Sequence, residues 1–202
     1  MLKGASGAGS ETMAYPTTSD VSPSQWSPDG RTILFAGPGE RRLSDALWSL
    51  DLETGAAREL LSAETGNARF AQLSADGRWL AYASNESGRY EVYVQDHPGL
   101  RGRWQISARS GIAPRWRRDG RELYYLDYDG KVVAVSVTAL DSSLTLGNPQ
   151  VLFETAMGPK VVNRTYSWDV DAQGTRFHTV EPMRREEDRQ PLVMVRGWRQ
   201  GR

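Results

Sequence analysis

Short runs of apolar and aromatic residues recur along the chain, and each is bounded by turn-forming residues. Three of them directly follow the triplet Asp-Gly-Arg, at Thr32–Ala36, Trp79–Ser84 and Glu122–Asp127. Runs of this length, rich in β-branched and aromatic residues and bounded by turn signals, are typical of β-strands. We therefore predict an all-β fold.

One pattern of apolar and polar positions returns at nearly even intervals. Each copy has an apolar residue, a short polar run, Asp-Gly and a second apolar run, and the fourth copy has Gln173 in place of Asp. The intervals between the marker glycines of the four copies are 47, 43 and 54 residues, and these glycines are Gly30, Gly77, Gly120 and Gly174. Such a period is the repeat length of a four-stranded β-propeller blade.

The Asp-Gly pairs predict a hairpin turn in each copy, because the turn needs positive φ, which Gly adopts freely and Asp tolerates. Gln173 makes the fourth turn the weakest of the set. Unrelated hairpins would explain one or two copies, but they explain four evenly spaced copies poorly. The predicted turn residues are Asp29, Gly30, Asp76, Gly77, Asp119, Gly120 and Gly174.

The repeat divides the chain into a short leading segment, a propeller and a tail. Residues 1–20 are rich in Gly, Ala, Ser and Thr and are predicted to be flexible, while 199–202 form the tail. Residues 21–198 are predicted to form β-propeller blades, with residues 139–149 as a long connection. The predicted blades span 24–62, 69–107, 113–154 and 165–198.

The fourth predicted blade has three strands, Thr165–Val170, Thr175–Val180 and Pro191–Trp198, and lacks an outer one. An unpaired edge strand invites pairing, so residues 12–17 are the candidate for a closing strand, and open edges favour oligomerisation. Four blades is the low end of the usual range, so we expect an incomplete or C-terminal part of a larger propeller.

Composition excludes several classes of function. The 25 basic residues balance the 25 acidic ones, which disfavours nucleic-acid binding through a broad basic surface. The absence of Cys removes disulfides, thiolate metal sites and cysteine nucleophiles. No apolar run is long enough for a membrane helix, so we expect no membrane insertion, and Met1–Gly9 lacks the apolar centre of a signal peptide.

Catalytic and metal-binding motifs are also absent from the sequence. A serine hydrolase of the propeller-bearing peptidase type needs Gly-x-Ser-x-Gly, which does not occur, and only His97 and His178 are available as a base. Asp127-Tyr128-Asp129-Gly130 starts like a calcium loop, but Thr138 stands where the twelfth-position Glu belongs, which favours a hairpin turn. We predict no catalytic residue, no cofactor and no metal site.

Three arginines follow the Asp-Gly pairs at equivalent places in successive blades, at Arg31, Arg78 and Arg121. Lying around one face, they would form a ring of donors for an acidic partner. Alternatively, each arginine simply lies along its own turn, exposed or paired with the local Asp.

The repeat carries a family resemblance. Trp26–Arg31 and Leu73–Arg78 look like the start of the WD-like repeat, of the PD40 type, of TolB-like β-propellers. Gly120–Val135 and Gly147–Glu154 resemble the closing blades of propellers attached to bacterial serine/threonine protein kinases and to some winged-helix regulators. Pro191–Trp198 is similar to the terminal strand of those propellers, although Gly197 stands where they commonly have Asn.

The resemblance implies a sensor or docking module, often extracytoplasmic and periplasmic, that is joined through a membrane span to a kinase. The kinase itself is absent, because the chain contains no Gly-rich phosphate loop, no His-Arg-Asp and no Asp-Phe-Gly.

Two hypotheses for the function follow. The first is a non-catalytic propeller that binds a protein partner or a small ligand at the mouth of its central channel. The second is a regulatory propeller domain of a larger enzyme, either a bacterial serine/threonine protein kinase or a prolyl oligopeptidase-type peptidase.

Overall fold

The computed structural model describes residues 13–40, 44–62, 66–141, 143–155 and 168–180, and the backbone of 194–196. These residues form sixteen β-strands and no helix. The strands make four antiparallel sheets, one for each copy of the repeat, and the all-β prediction of about four blades is confirmed. The predicted tail and residues 1–12, 41–43, 63–65, 142, 156–167, 181–193 and 197–198 lie outside the described residues.

Blades 1 and 2 follow a single plan, in which four consecutive strands pair in chain order. The marker glycine lies in the turn between the first strand, which is innermost, and the second. Blade 1 contains β1 (Ser22–Trp26), β2 (Thr32–Pro38), β3 (Asp45–Asp51) and β4 (Ala57–Leu61). Blade 2 contains β5 (Ala68–Leu73), β6 (Trp79–Ser84), β7 (Glu91–Asp96) and β8 (Arg103–Gln105).

Blade 3 departs from this plan by one added hairpin. It contains β9 (Ile112–Trp116), β10 (Glu122–Leu126), β11 (Lys131–Leu140), β12 (Ser143–Leu146) and β13 (Gln150–Glu154). The first half of β11 pairs with the outer strand β13, and its second half pairs with β12. The prediction of a plain connection over residues 139–149 is therefore wrong, because Leu144 and Leu146 pack on the apolar cluster between blades 2 and 3 and hold this stretch as a strand.

Blade 4 has three described strands, β14 (Trp168–Val170), β15 (Arg176–Thr179) and β16 (Met194–Arg196). Residues 13–17 form no strand, which contradicts the predicted closing strand for the part that the structure describes; Thr12 lies outside it. Instead, the Tyr15 ring lies 5.6 Å from that of Phe35 in β2, so the segment packs on blade 1. Burial of this aromatic ring on blade 1 explains its position better than backbone pairing with blade 4.

Apolar clusters lie between neighbouring blades and hold them together, as burial of apolar area predicts. One cluster joins β2 and β3 of blade 1 to β5, β6 and β7 of blade 2, and includes Leu34, Leu47, Leu73 and Tyr82. A second joins blade 2 to blade 3 and includes Val92, Val94, Trp116 and Leu123. A third extends from blade 2 through blade 3 to blade 4 and includes Phe70, Tyr124, Trp168 and Phe177.

A β-bulge interrupts the inner strand of each of the first three blades. Phe70 and Ala113 stand at the same place in blades 2 and 3, seven residues before their marker glycines, and have φ values of +59° and +49°. The left-handed conformation is costly for a residue with a Cβ, but the bulge directs Phe70 into the apolar cluster shared with blade 3. Packing therefore offsets local strain at these two positions.

Candidate functional site

The turns that contain the marker glycines share one backbone geometry, which recurs from blade to blade. In blade 1, Ser27 Oγ donates to Asp29 Oδ1 (2.6 Å), and the same carboxylate oxygen accepts the Arg31 N–H. Ser74 and Asp76 make the equivalent contacts in blade 2. Among the turn residues only the glycines have positive φ, close to +72°, and the Asp residues, which tolerate this conformation, do not adopt it. The Asp stabilises each turn through its carboxylate instead.

Different side chains hold the turns of blades 3 and 4. Arg117 replaces the serine and donates to Asp119 through Nε (2.8 Å). In blade 4, Asp171 occupies the serine position and accepts from Thr175 and from the N–H and Nε of Arg176. Asp171 thus supplies the carboxylate that Gln173 cannot, which explains why the turn forms without Asp-Gly.

The structure places all three predicted arginines on the surface of these turns. Arg31, Arg78 and Arg121 are exposed. Arg78 lies over the Trp79 ring, with its guanidinium carbon 5.8 Å from the ring centre, and it donates to the backbone oxygen of Asp141. Hence Arg78 binds the added hairpin of blade 3, whereas no hydrogen bond is formed by the Arg31 and Arg121 side chains within the described structure.

Two clefts open between successive turns on this face. The first cleft, of about 790 Å³, lies between blades 1 and 2 and is lined by both of their turns, including Asp29, Asp51, Asp76, Arg58 and His97. The second cleft, of about 940 Å³, lies between blades 2 and 3 and is bounded by the added hairpin. Its lining includes Trp79, Arg117, Arg118, Asp119, Arg121 and Glu122.

Asp29, Asp51 and Asp119 stay ionised at neutral pH. Hydrogen bonds from Ser27 and the Arg31 backbone lower the pKa of Asp29, and bonds from Thr54 lower that of Asp51. The Arg117 guanidinium lowers the pKa of Asp119. The first cleft is therefore acidic, whereas Arg117 neutralises Asp119 and Glu122 in the second.

In the second cleft, two cations remain available to a ligand. Arg117 contacts Asp119 and Glu122, at 2.8 Å each, and is fully engaged. Arg118 and Arg121 are exposed, and their guanidinium groups form no hydrogen bond with any residue that the structure describes. The cleft can therefore offer two free guanidinium groups to an anionic group.

Sequence reasoning missed a set of polar residues on the inner strands, each five residues before a marker glycine. Gln72 of blade 2 accepts the Trp116 N–H of blade 3 (2.6 Å), and Gln25 bonds blade 2 in the same way. In blade 3 the position is held by Arg115, which is buried and donates to Asp169 Oδ1 (3.2 Å) and to the Trp168 carbonyl (3.1 Å). The even spacing of Gln25, Gln72, Arg115 and Asp169 in the sequence is the signal that identifies the set.

The remaining candidates from the sequence are the two histidines and the turn that starts like a calcium loop. His97 Nδ1 lies 2.9 Å from the Gly77 carbonyl oxygen, and His178 is an exposed residue of β15. Asp127 accepts the Lys131 N–H in a hairpin turn between β10 and β11, as predicted. No cluster of three metal-ligating side chains occurs in the described ranges, and no helix there is long and apolar enough to cross a membrane.

Comparison with known proteins places the fold. No family model matches the chain. An uncharacterised protein of Agrobacterium fabrum is 25% identical over an alignment of 155 residues that covers 72% of this chain and 50% of that protein. The chain thus spans about half the length of the curated relative that it matches.

Solved structures support the same fold. TolB from Acinetobacter baumannii has a TM-score of 0.64 at 18% identity, covering 88% of this chain and 41% of that one. A structure assigned as TolB from Agrobacterium tumefaciens has a TM-score of 0.54 at 21% identity, covering 66% and 49%. Together with the stacked four-stranded sheets, these likenesses show that the chain has the fold of the TolB-like β-propellers.

Proposed function

We propose that this chain is a non-catalytic binding module whose partner docks on the face formed by the four marker turns. The observation that carries the proposal is the placement of three exposed arginines on equivalent turns beside two clefts. Propellers present loops from several blades to one site, and the marker turns of successive blades would supply such loops here.

The part of this face that carries the arginines fits a partner with acidic groups, whereas the first cleft is itself acidic. Arg118 and Arg121 leave free guanidinium groups in the second cleft, on the turn of blade 3, and Arg31 is exposed on the turn of blade 1. Bidentate contacts from arginine to carboxylate give both affinity and orientation. A partner with several carboxylates, spaced to reach successive blades, would bind these arginines together.

Location and attachment form the finer part of the proposal. We place the module outside the cytoplasm and beside a bacterial serine/threonine protein kinase, whose activity it would report on or regulate. The support is the resemblance of Gly120–Val135 and Gly147–Glu154 to kinase-attached propellers. Reading the flanking coding sequence tests this part, since a coding region without kinase and membrane segments contradicts it.

A fluorescently labelled oligoglutamate peptide tests the binding face. The variant Arg31→Ala/Arg78→Ala/Arg121→Ala is expected to lose at least about tenfold in affinity at low salt, and the wild-type affinity is expected to fall as salt rises. Arg109→Ala is the control, because Arg109 is exposed in the link that enters β9 at its opposite end. Equal affinities for the triple variant and the wild type would overturn the proposal.

A further inference from the structure

Two exposed apolar side chains mark the two ends of the stack of blades. Trp26, four residues before its marker glycine, is 52% exposed at the free side of blade 1. The residues at the same position in blades 2 and 3 are Leu73 and Trp116, and both are buried in the cluster shared with the preceding blade. Trp26 is therefore exposed because no blade precedes it among the described residues.

Val180 is the counterpart of Trp26 at the other end. It stands six residues after its marker glycine and is 58% exposed. At the same position, blades 1, 2 and 3 have Ala36, Ala83 and Leu126, which are buried. Each of these three belongs to a cluster that includes residues of the following blade. The exposed side of Val180 is thus the side that receives a following blade.

Hydrogen-bonding groups at the two ends are complementary as well. The Ser27 N–H donates to the Thr32 carbonyl, so Ser27 and Thr32 form a hydrogen-bonded pair of the antiparallel ladder. Because such pairs alternate with pairs that are not hydrogen-bonded, the neighbouring pair of Trp26 and Ile33 is not hydrogen-bonded. The N–H of Trp26 therefore faces the open edge of β1. At the same position in the next two blades, the N–H groups of Leu73 and Trp116 face the preceding blade and are accepted by its glutamine.

Asp169 has the position of those glutamines in blade 4. One of its oxygens accepts from Arg115 and from the Val170 N–H, and its side chain is 55% exposed. A carboxylate accepts hydrogen bonds only, and its second oxygen has room for another donor. The end of blade 4 thus offers an acceptor where the end of blade 1 offers a donor.

We propose that the open side of blade 4 binds the open side of blade 1 of a second copy of this chain, and that two such junctions close a ring of two copies. Asp169 accepts the Trp26 N–H of the other copy, and Val180 packs beside its indole. The ring has eight blades, within the range that propellers adopt. Both complementary ends belong to one chain, which identifies the occupant as a second copy.

The N-terminal segment bears on this ring. Residues 13–21 lie along Phe35 and Trp48 on the same side of blade 1, with Val21 close to Gly37. Association of two copies therefore displaces part of this segment from blade 1. Because Tyr15→Ala removes a contact that holds the segment on blade 1, this variant is expected to associate more tightly.

Sedimentation velocity over a hundredfold range of concentration tests the ring. The wild-type chain is expected to reach twice its mass of 22.5 kDa, whereas Trp26→Glu and Val180→Glu each remain at the single-chain mass. Mixing the two variants is expected to restore the doubled mass, because one junction then has both native sides. Leu140→Glu and Val151→Glu are the controls, as these residues are 60% and 56% exposed away from both ends.

Other outcomes overturn the proposal. A wild-type chain of single mass at every concentration excludes the ring, and open assemblies larger than two copies exclude its closure. If the mixed variants do not associate although both melt as cooperatively as the wild type, a junction between blade 4 of one copy and blade 1 of the other is excluded. Should either glutamate variant fail to melt cooperatively, Trp26→Lys and Val180→Lys repeat the mixing experiment.

Discussion

The side-chain amide of Gln25 in blade 1 makes two hydrogen bonds with the backbone of Leu73 in blade 2. Its Oε1 accepts the Leu73 N–H (2.6 Å), and its Nε2 donates to the Leu73 carbonyl (3.3 Å). The two residues are 48 positions apart, so the contact joins neighbouring blades at their inner strands. The Gln25 side chain therefore provides hydrogen-bond partners for the N–H and the carbonyl of Leu73, two backbone groups that no neighbouring strand pairs with.

Replacing Gln25 by Ala is expected to lower the free energy of unfolding by about 1 to 3 kcal/mol, because the polar groups of Leu73 lose their partner in a half-buried site. Gln105→Ala is the control, since Gln105 donates to the Ser107 carbonyl within its own blade. Urea unfolding of both variants measures the difference. Equal loss of stability in the two would show that the link between blades contributes nothing.

Gly174→Ala is expected to be more harmful than Gly77→Ala, although both glycines have φ of +72°. A Cβ at Gly77 meets nothing within 4 Å, so only the left-handed conformation costs, at about 1 kcal/mol. At Gly174 the Cβ would overlap the Tyr124 hydroxyl and lie 3.0 Å from Arg117 Cδ, which adds about 1 to 3 kcal/mol. Thermal unfolding compares them, and equal melting temperatures would contradict the close approach of blades 3 and 4.

The strained bulge at Ala113 predicts an unusual response to glycine. Ala113→Gly and Ala81→Gly each remove one buried methyl group, but only Ala113 has positive φ. Glycine relieves that strain, so Ala81→Gly is expected to destabilise the protein by about 1 to 2 kcal/mol more than Ala113→Gly. Denaturant unfolding decides the order, and a larger loss at Ala113 would show that its φ carries no cost.

Asp171 should make stability depend on pH. Burial alone would raise its pKa, but hydrogen bonds from Arg176 and Thr175 outweigh burial and lower it. Its folded-state pKa lies below the unfolded value of about 3.9, so its contribution is complete above that pH and is lost as pH falls through the folded-state pKa.

Asp171→Asn tests this dependence. The variant is expected to be less stable than the wild type by about 1 to 2 kcal/mol at neutral pH, and the difference is expected to shrink below pH of about 4. Asp129→Asn is the control, since the Asp129 side chain is 77% exposed and 3.8 Å from Lys131. A difference that stays constant down to acid pH would mean that the charge of Asp171 is not what stabilises the turn.

Prediction from the sequence failed where a contact depends on which blades lie side by side. The hairpin of β11 and β12 was missed because Leu144 becomes buried only when blade 2 supplies Trp79 and its neighbours. Asp171 was missed because its role as a turn carboxylate appears only once Arg176 and Thr175 fold back on it. The three arginines lie on exposed turns, but the hydrogen bond from Arg78 to the Asp141 carbonyl could not be predicted from the sequence of its own blade.

By itself, the sequence determined the number of blades, most of their strands and the turns that carry Gly30, Gly77, Gly120 and Gly174. These features depend on interactions within a few residues, because positive φ at glycine and the alternation of side chains along a strand are local properties. The tertiary structure decided which residues meet across blades, including Gln25 with Leu73, and which apolar side chains remain exposed at the two ends. Such contacts join residues more than forty positions apart, and only the stacking of the blades brings them within reach.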